Sequence, residues 1–275
     1  MGMQIFTWDE IIDTNSKNSS IIDKSAITIG GFDGFHLGHT KLCERVLQFA
    51  NDNNMQSGVI TFANSPRLHK EQENYAGDIS TLRLKLKKFE NFGFDFVVVI
   101  DFSQKFSKIK GGVFLQILKD SLNMQFLTVG EEFRCGHKGQ TDCAKIEKFS
   151  IENDIQFIIT PIISHSLQKI SSSTIRELIL SANFNECKNL LGYNYELDIK
   201  NLPFTNRYED SELLFEFEHQ QRQILPPHGK YCVKVFTQEN KSFQSILLLD
   251  NITLRLNVPK EYENAQFDVI TFISC

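Results

Sequence analysis

Residues 26–41 read AITIGGFDGFHLGHTK, and the order of residue types in this stretch decides the fold. Ile27 and Ile29 belong to a short apolar run that reads as a buried strand, and glycines at 30, 31 and 34 make a loop after it. Leu42, Val46, Phe49 and Ala50 then recur at helical spacing. A strand, a glycine loop and a helix in that order aim unpaired N–H groups and a positive dipole end at whatever lies above the strand, which makes an anion site. His36 and His39 stand at the junction, close enough in sequence for both rings to face one side if the helix begins there. Gly38 between them leaves bare backbone, which lets a bulky phosphate come close. A helix end alone is worth roughly 0.3–1 kcal/mol, too little to hold a triphosphate. Two imidazole donors add directed hydrogen bonds where charge grows on a phosphorus centre. The stretch is neither a P-loop nor a dinucleotide G-x-G-x-x-G.

Outward from this stretch, strands and helices alternate. Strand patterns fall at 57–62, 96–100, 126–129 and 155–159, and helical patterns at 82–93, 113–122 and 145–151. Residues 4–12 read as an edge strand or a helical turn, 13–24 as a polar connector, and 63–80 as a long polar loop. FVVVI at 96–100 is continuous and β-branched, as in a strand covered on both faces of a parallel sheet. The pattern predicts a doubly wound parallel α/β sheet, with its motifs converging at the carboxyl ends of the strands. One such motif, ISSSTIR at 170–176, has the serines and threonine of a helix cap, with Arg176 inside the first turn. A cation there is disfavoured by the dipole, and a bound anion would compensate.

Residues 30–39, GGFDGFHLGH, resemble the G-x-F-D-G-x-H-x-G-H signature of the prokaryotic bifunctional riboflavin kinase/FMN adenylyltransferase family, the FAD synthetases, within the wider H-x-G-H nucleotidyltransferases. The resemblance covers the first seven-tenths of the chain. It implies transfer of AMP from ATP to FMN, giving FAD and pyrophosphate, with Mg2+ on the phosphates. His36, His39 and Arg176 are then the catalytic residues. Gly30, Phe32, Asp33, Gly34, Gly38, Ser172 and Ser173 hold the nucleotide, together with Gly130 and Glu132 of VGEEFRCG at 129–136, which resembles the family's V-G-x-[DN]-F-x-F-G loop. Cys135 stands there in place of an aromatic residue. TFANSPR at 61–67 resembles T-F-x-P-H-P-R, with Asn64 for the proline and Ser65 for the histidine. Phe62, Ser65, Arg67 and Phe133 are the flavin-side residues by this resemblance; His69 could stand in for the lost imidazole, but a solvent-exposed histidine is the preferred reading. The metal ligands are left unassigned, with Asp33 read as fixing the loop and capping the helix in preference to binding metal.

Beyond Gly192 the character changes to short β-like runs separated by turn signals, which favour a small β-barrel. In the family this region is the kinase, whose G-x-x-x-G-F-P-T-A-N segment cradles phosphate. Here Gly229 is the only glycine after Gly192, which excludes a glycine cradle. Pro203, Phe204, Thr205 and Asn206 are a faint echo of its core. The expected organisation is an FMN adenylyltransferase domain at 1–192 and a shortened kinase-like β domain without kinase activity at 193–275. Two other readings stand beside it: a non-catalytic flavin- or nucleotide-binding protein, and an adenylyltransferase acting on another phosphate-bearing acceptor.

The net charge of −5 argues against general affinity for nucleic acid or anionic membrane. Six scattered cysteines without metal-site spacing point to reduced thiols. With no signal peptide and no apolar run of membrane-spanning length, a cytoplasmic protein is expected.

Overall fold

A computed structural model describes residues 2–17, 19–63, 75–162, 164–165, 168–209, 212–218, 223–250 and 252–274. The chain forms two compact units, one of Met1–Tyr75 with Leu82–Lys169 and the other of Ala76–Thr81 with Ile170–Cys275.

The first unit is built on a six-stranded parallel sheet. In chain order its elements are β1 (Gln4–Thr7), α1 (Trp8–Ser16), β2 (Ser25–Ile29), α2 (Leu37–Asp52), β3 (Gln56–Phe62), α3 (Leu82–Phe92), β4 (Phe96–Ile100), α4 (Gly111–Leu122), β5 (Met124–Gly130), α5 (Cys143–Glu152) and β6 (Gln156–Thr160). A two-residue-per-strand hairpin, β7 (Ser164–His165) and β8 (Gln168–Lys169), follows. The strand order is β1-β4-β3-β2-β5-β6, and every pairing is parallel. Residues 4–12 hold both predicted elements in succession. Thr7 ends the strand and caps the helix in a reciprocal box with Glu10, which extends α1 into the expected connector.

Period-two alternation sorts the strand side chains onto two faces. Ile27, Ile29, Ile60, Val98, Leu127 and Val129 pack with Trp8 and Ile11 of α1 and with Phe114 and Leu118 of α4. Ala26, Val59, Val97 and Phe126 pack with Leu42 and Val46 of α2 and Phe89 of α3. Helices on both faces make the sheet doubly wound. Gly58 in β3 is required by this packing, because a Cβ there would lie 2.1 Å from the Phe96 ring.

The second unit contains α6 (Ser172–Leu180), α7 (Phe184–Leu191), β9 (Glu196–Asp198), β10 (Phe204–Glu209), β11 (Glu212–Glu218), β12 (Gly229–Thr237), β13 (Ser242–Asp250), β14 (Thr253–Val258) and β15 (Phe267–Phe272). Helix α7 ends on left-handed Gly192, whose N–H returns to the Lys188 carbonyl. The seven strands form one antiparallel sheet in the order β10-β11-β14-β13-β12-β15-β9, curled into a half-barrel. Cys43, Cys135, Cys143 and Cys187 are free thiols, but Cys232 is disulfide-bonded, which corrects the expectation of reduced thiols throughout. Among the described residues no helix is long and apolar enough to cross a membrane.

Candidate active site

From β2 the chain winds through β3 and β4 to one side of the sheet, and later through β5 and β6 to the other. The carboxyl ends of β2 and β5 therefore flank the point where the strand order reverses, the place where such sheets bind ligands. The glycine loop follows β2, and the loop containing Phe133 follows β5.

The glycine loop is strained and pinned. Phe32 (φ 48°), Phe35 (φ 36°) and Gly34 (φ 79°) all take left-handed backbone, which only the last adopts without cost. Burial holds the two aromatic residues there. Phe32 meets Phe89 edge-on at 5.3 Å, and Phe35 lies 5.0 Å from Phe92, both on α3.

Helix α2 starts at Leu37, with His36 as its N-cap residue. The His36 carbonyl accepts from the N–H groups of His39 (2.8 Å) and Thr40 (3.1 Å), while its ring makes no capping bond. The two imidazoles instead stack at 3.7 Å between centroids and 14° between planes, on one side of the helix start as the spacing predicts. The Nδ1 atoms of both are buried and find no hydrogen-bond partner among the described residues. Burial pushes the His36 pKa down to about 4. His39 is pushed well below its ordinary value by burial, with repulsion from His36 and Lys85 adding to it. Near neutral pH both rings are uncharged, each with one N–H donor and one lone pair. The room at Gly38 is used by the His36 ring, since a Cβ there would lie 3.1 Å from its Cε1 and Nδ1.

Lys85 on α3 was not among the residues singled out from the sequence. It is 5% exposed, and its Nζ donates to the carbonyls of Phe62 (2.7 Å) and Gly31 (3.3 Å), the second shared with the Thr61 hydroxyl at 3.4 Å. Its signal is a lysine on the apolar stripe of α3, between Leu82 and Phe89.

A cavity of about 240 Å³ opens beside the ends of β2 and β3, lined by Ile29, Phe62, Phe102, Phe106, Phe133 and Arg134 among others. Phe62, Phe102 and Phe106 meet edge-on at 5.6–6.0 Å. Phe62 and Phe133 are thus brought together, and Cys135 joins the same wall with its thiol pushed up to about 12 by burial and the neighbouring Cys143. Ser65, Arg67 and His69 lie outside the described residues. Gly130 closes β5, and Glu132 is exposed and ion-paired to Lys169 at 2.5 Å.

Ser172, Ser173 and Arg176 belong to the second unit. The cap of α6 is Ser171, whose hydroxyl accepts from the Thr174 N–H at 3.2 Å. Arg176 therefore stands one turn inside the helix, not in its first turn. It is 8% exposed, with Nε donating to the Gly77 carbonyl at 2.8 Å. Among the described residues no group of three or more His, Cys, Asp or Glu could hold a metal ion.

An uncapped helix start carrying H-x-G-H at the switch point of a doubly wound parallel sheet defines a nucleotidyltransferase of the H-x-G-H class. Within that class the sequence pattern of the FAD synthetases matches residues 18–174, more than half of the chain, and the chain belongs to the FAD synthetase family. It is 29% identical over 82% of its length to a bifunctional riboflavin kinase/FMN adenylyltransferase of Haemophilus influenzae, covering 74% of that protein. Over 92% of its length it is 25% identical to the like-named protein of Buchnera aphidicola subsp. Acyrthosiphon pisum, covering 80% of it. A crystal structure from Streptococcus pneumoniae, described as a macrolide-efflux protein, matches 98% of the chain and 89% of its own with a TM-score of 0.79; at 20% identity that is a likeness of fold. The protein is an FMN adenylyltransferase, an enzyme of FAD biosynthesis whose family uses ATP and FMN.

Proposed function

We propose that this chain joins AMP from ATP to FMN with the groups at the β2–α2 junction, that residues 1–192 supply this activity, and that residues 193–275 are a kinase-like β domain without kinase activity, in a cytoplasmic protein. A phosphate oxygen of FMN attacks the α-phosphorus in line. The new P–O bond forms as the bond to the β-phosphate bridge breaks, and pyrophosphate leaves with the electron pair. No covalent enzyme intermediate is needed, and no general base, because the attacking phosphate is already ionised near neutral pH.

His36 and His39 stabilise the charge that grows on the α-phosphate. They meet it neutral, so each donates through an N–H without first giving up a hydration shell. The open first turn of α2 and the loop residues Gly30, Phe32, Asp33, Gly34 and Gly38 receive the remaining phosphate oxygens. Gly130 and Glu132 border the nucleotide, and Ser172, Ser173 and Arg176 hold the departing pyrophosphate. The aromatic cavity takes the isoalloxazine ring between Phe62 and Phe133, with Phe102 and Phe106 added to the residues read from the sequence. Among the described residues no side-chain cluster would hold Mg2+, which would arrive with ATP and would supply neutralisation of phosphate charge.

The observation that carries this reading is the stacked imidazole pair at the helix start, whose Nδ1 atoms are buried and find no hydrogen-bond partner among the described residues. The test is to incubate the purified protein with ATP, Mg2+ and FMN and to separate the flavins, with nicotinamide mononucleotide and phosphopantetheine as competing acceptors. FAD and pyrophosphate in equal amounts from FMN are expected. Binding of ATP and FMN without turnover would favour a non-catalytic binding protein. Turnover of another acceptor alone would move the enzyme to a different substrate.

A further inference from the structure

The chain passes from the first compact unit into the second at Ala76 and returns to the first at Leu82. This six-residue strap is bonded within the second unit at Gly77, Asp78, Ile79 and Thr81. Arg176 Nε donates to the Gly77 carbonyl at 2.8 Å. The Asp78 carbonyl accepts from the Ile224 N–H at 2.8 Å, and Asp78 forms a parallel bridge to Gln223. Gln223 is 4% exposed, and its amide nitrogen donates to the carbonyls of Ile79 (2.9 Å) and Glu196 (2.6 Å). Its amide oxygen accepts from the Asp198 N–H at 2.9 Å. Thr81 Oγ1 then donates to Asp198 Oδ2 at 2.5 Å.

Two of these partners, Glu196 and Asp198, belong to β9, an edge of the antiparallel sheet. A continuous polar chain therefore runs from that edge through Gln223 and the strap to the arginine. Inside a buried network each bond strengthens its neighbours, and each unmet group is costly. Gly77 sits at φ 117°, a backbone geometry left to glycine, so the carbonyl facing Arg176 is aimed by a conformation that other residues rarely adopt. A guanidinium is a rigid planar fork. The bond at Nε restricts the orientation of that plane and with it the directions open to the Nη donors.

We infer that Gln223 is a positioning residue for adenylyl transfer, through which the C-terminal sheet orients the Arg176 guanidinium by way of the strap Ala76–Thr81. The inference rests on the reading of Arg176 as the group that holds the departing pyrophosphate.

The test is a double-mutant cycle on FAD formation in the full chain. Gln223→Leu keeps the volume and removes all three amide bonds. Thr81→Val removes one hydroxyl bond with the same shape and decides the matter should the first variant fold poorly. In the wild-type background Gln223→Leu is expected to lower kcat about tenfold and Thr81→Val about threefold, with KM for FMN unchanged. In an Arg176→Ala background neither should lower kcat further, because the arginine through which they act is gone. Equal losses in both backgrounds would mark a merely structural role and overturn the inference. So would wild-type kcat in both variants beside a crippled Arg176→Ala. Wild-type kcat in Arg176→Ala itself would overturn the role of that arginine and this inference with it, while FAD formation by the enzyme would stand.

Discussion

Gly38 carries a conflict between stability and catalysis that a single methyl group can expose. In a helix interior alanine is favoured over glycine by roughly 0.5–1 kcal/mol, and Gly38, the second residue of α2, feels the first part of that preference. The added methyl would lie 3.1 Å from Cε1 and Nδ1 of His36, so the ring must give way by a few tenths of an ångström and the stack with His39 must shift. Small displacements of reacting groups are expensive, since 1 Å can lose about a hundredfold in rate. Gly38→Ala is therefore expected to leave the thermal midpoint unchanged or raised while kcat falls about fivefold to tenfold, read by calorimetry and steady-state kinetics on one preparation. The same pair makes stability depend on pH. An unfolded imidazole takes up a proton below about 6.5, whereas folded His36 stays neutral down to about 4. Between these values the unfolded chain binds more protons, so stability falls as pH falls through that window. His39 acts in the same direction. Urea midpoints should drop from pH 7 to pH 5 in the wild type, and the drop should shrink in His36→Gln.

At the scale of elements, α3 does more than cover the sheet. Its Lys85 ties the glycine loop at Gly31 to the end of β3 at Phe62, so one cation sets the distance between the imidazole pair and the aromatic cavity. Replacing it by methionine keeps the apolar stem and leaves buried carbonyls short of a donor, which costs about 1–3 kcal/mol. The charge that helps push His39 down also disappears. Lys85→Met should lower the unfolding free energy by about that amount. It should also move the His39 titration, followed by NMR of the ring protons, to higher pH. What the sequence makes legible here follows from period and spacing. FVVVI announces a strand covered on both faces, and the spacing of His36 and His39 announces two rings on one side. What it hides depends on partners distant in the chain. Lys85 looks like one more charge until Gly31 and Phe62 are brought to it. Phe102 and Phe106 follow β4 in what reads as plain loop, and only the fold carries them to Phe62. Strand β9 is three residues long, too short for a periodic signal, and exists because it pairs with β15. The bridge between Asp78 and Gln223 joins residues about half the chain apart, and no local pattern records it.

The whole molecule couples a nucleotidyltransferase sheet to an antiparallel sheet whose relatives bear the name of a second activity. The chain covers 74% and 80% of two relatives named as bifunctional riboflavin kinase/FMN adenylyltransferases, so the question is whether the kinase half of that name carries over. A backbone phosphate cradle needs several N–H groups converging on one point, which takes successive residues with left-handed or alternating backbone, supplied by glycine. After Gly192 the sequence offers Gly229 alone, and that residue opens β12 in ordinary register with Leu249. Among the described residues beyond Gly192, left-handed backbone occurs at Asn201 and Asn240, each isolated in its own turn. Phe204, Thr205 and Asn206, where the P-T-A-N echo falls, belong to an extended edge strand paired with β11, in which successive N–H groups point in opposite directions and do not converge on one point. Among the described residues the geometry offers no such cradle, as the scarcity of glycine leads one to expect. With ATP and Mg2+, the full chain should therefore convert added FMN to FAD and leave added riboflavin unchanged over the same interval, as read by chromatography of the three flavins. Accumulation of FMN from riboflavin would mean that phosphate is gripped in the second unit by side chains alone, and the argument from glycine would fall.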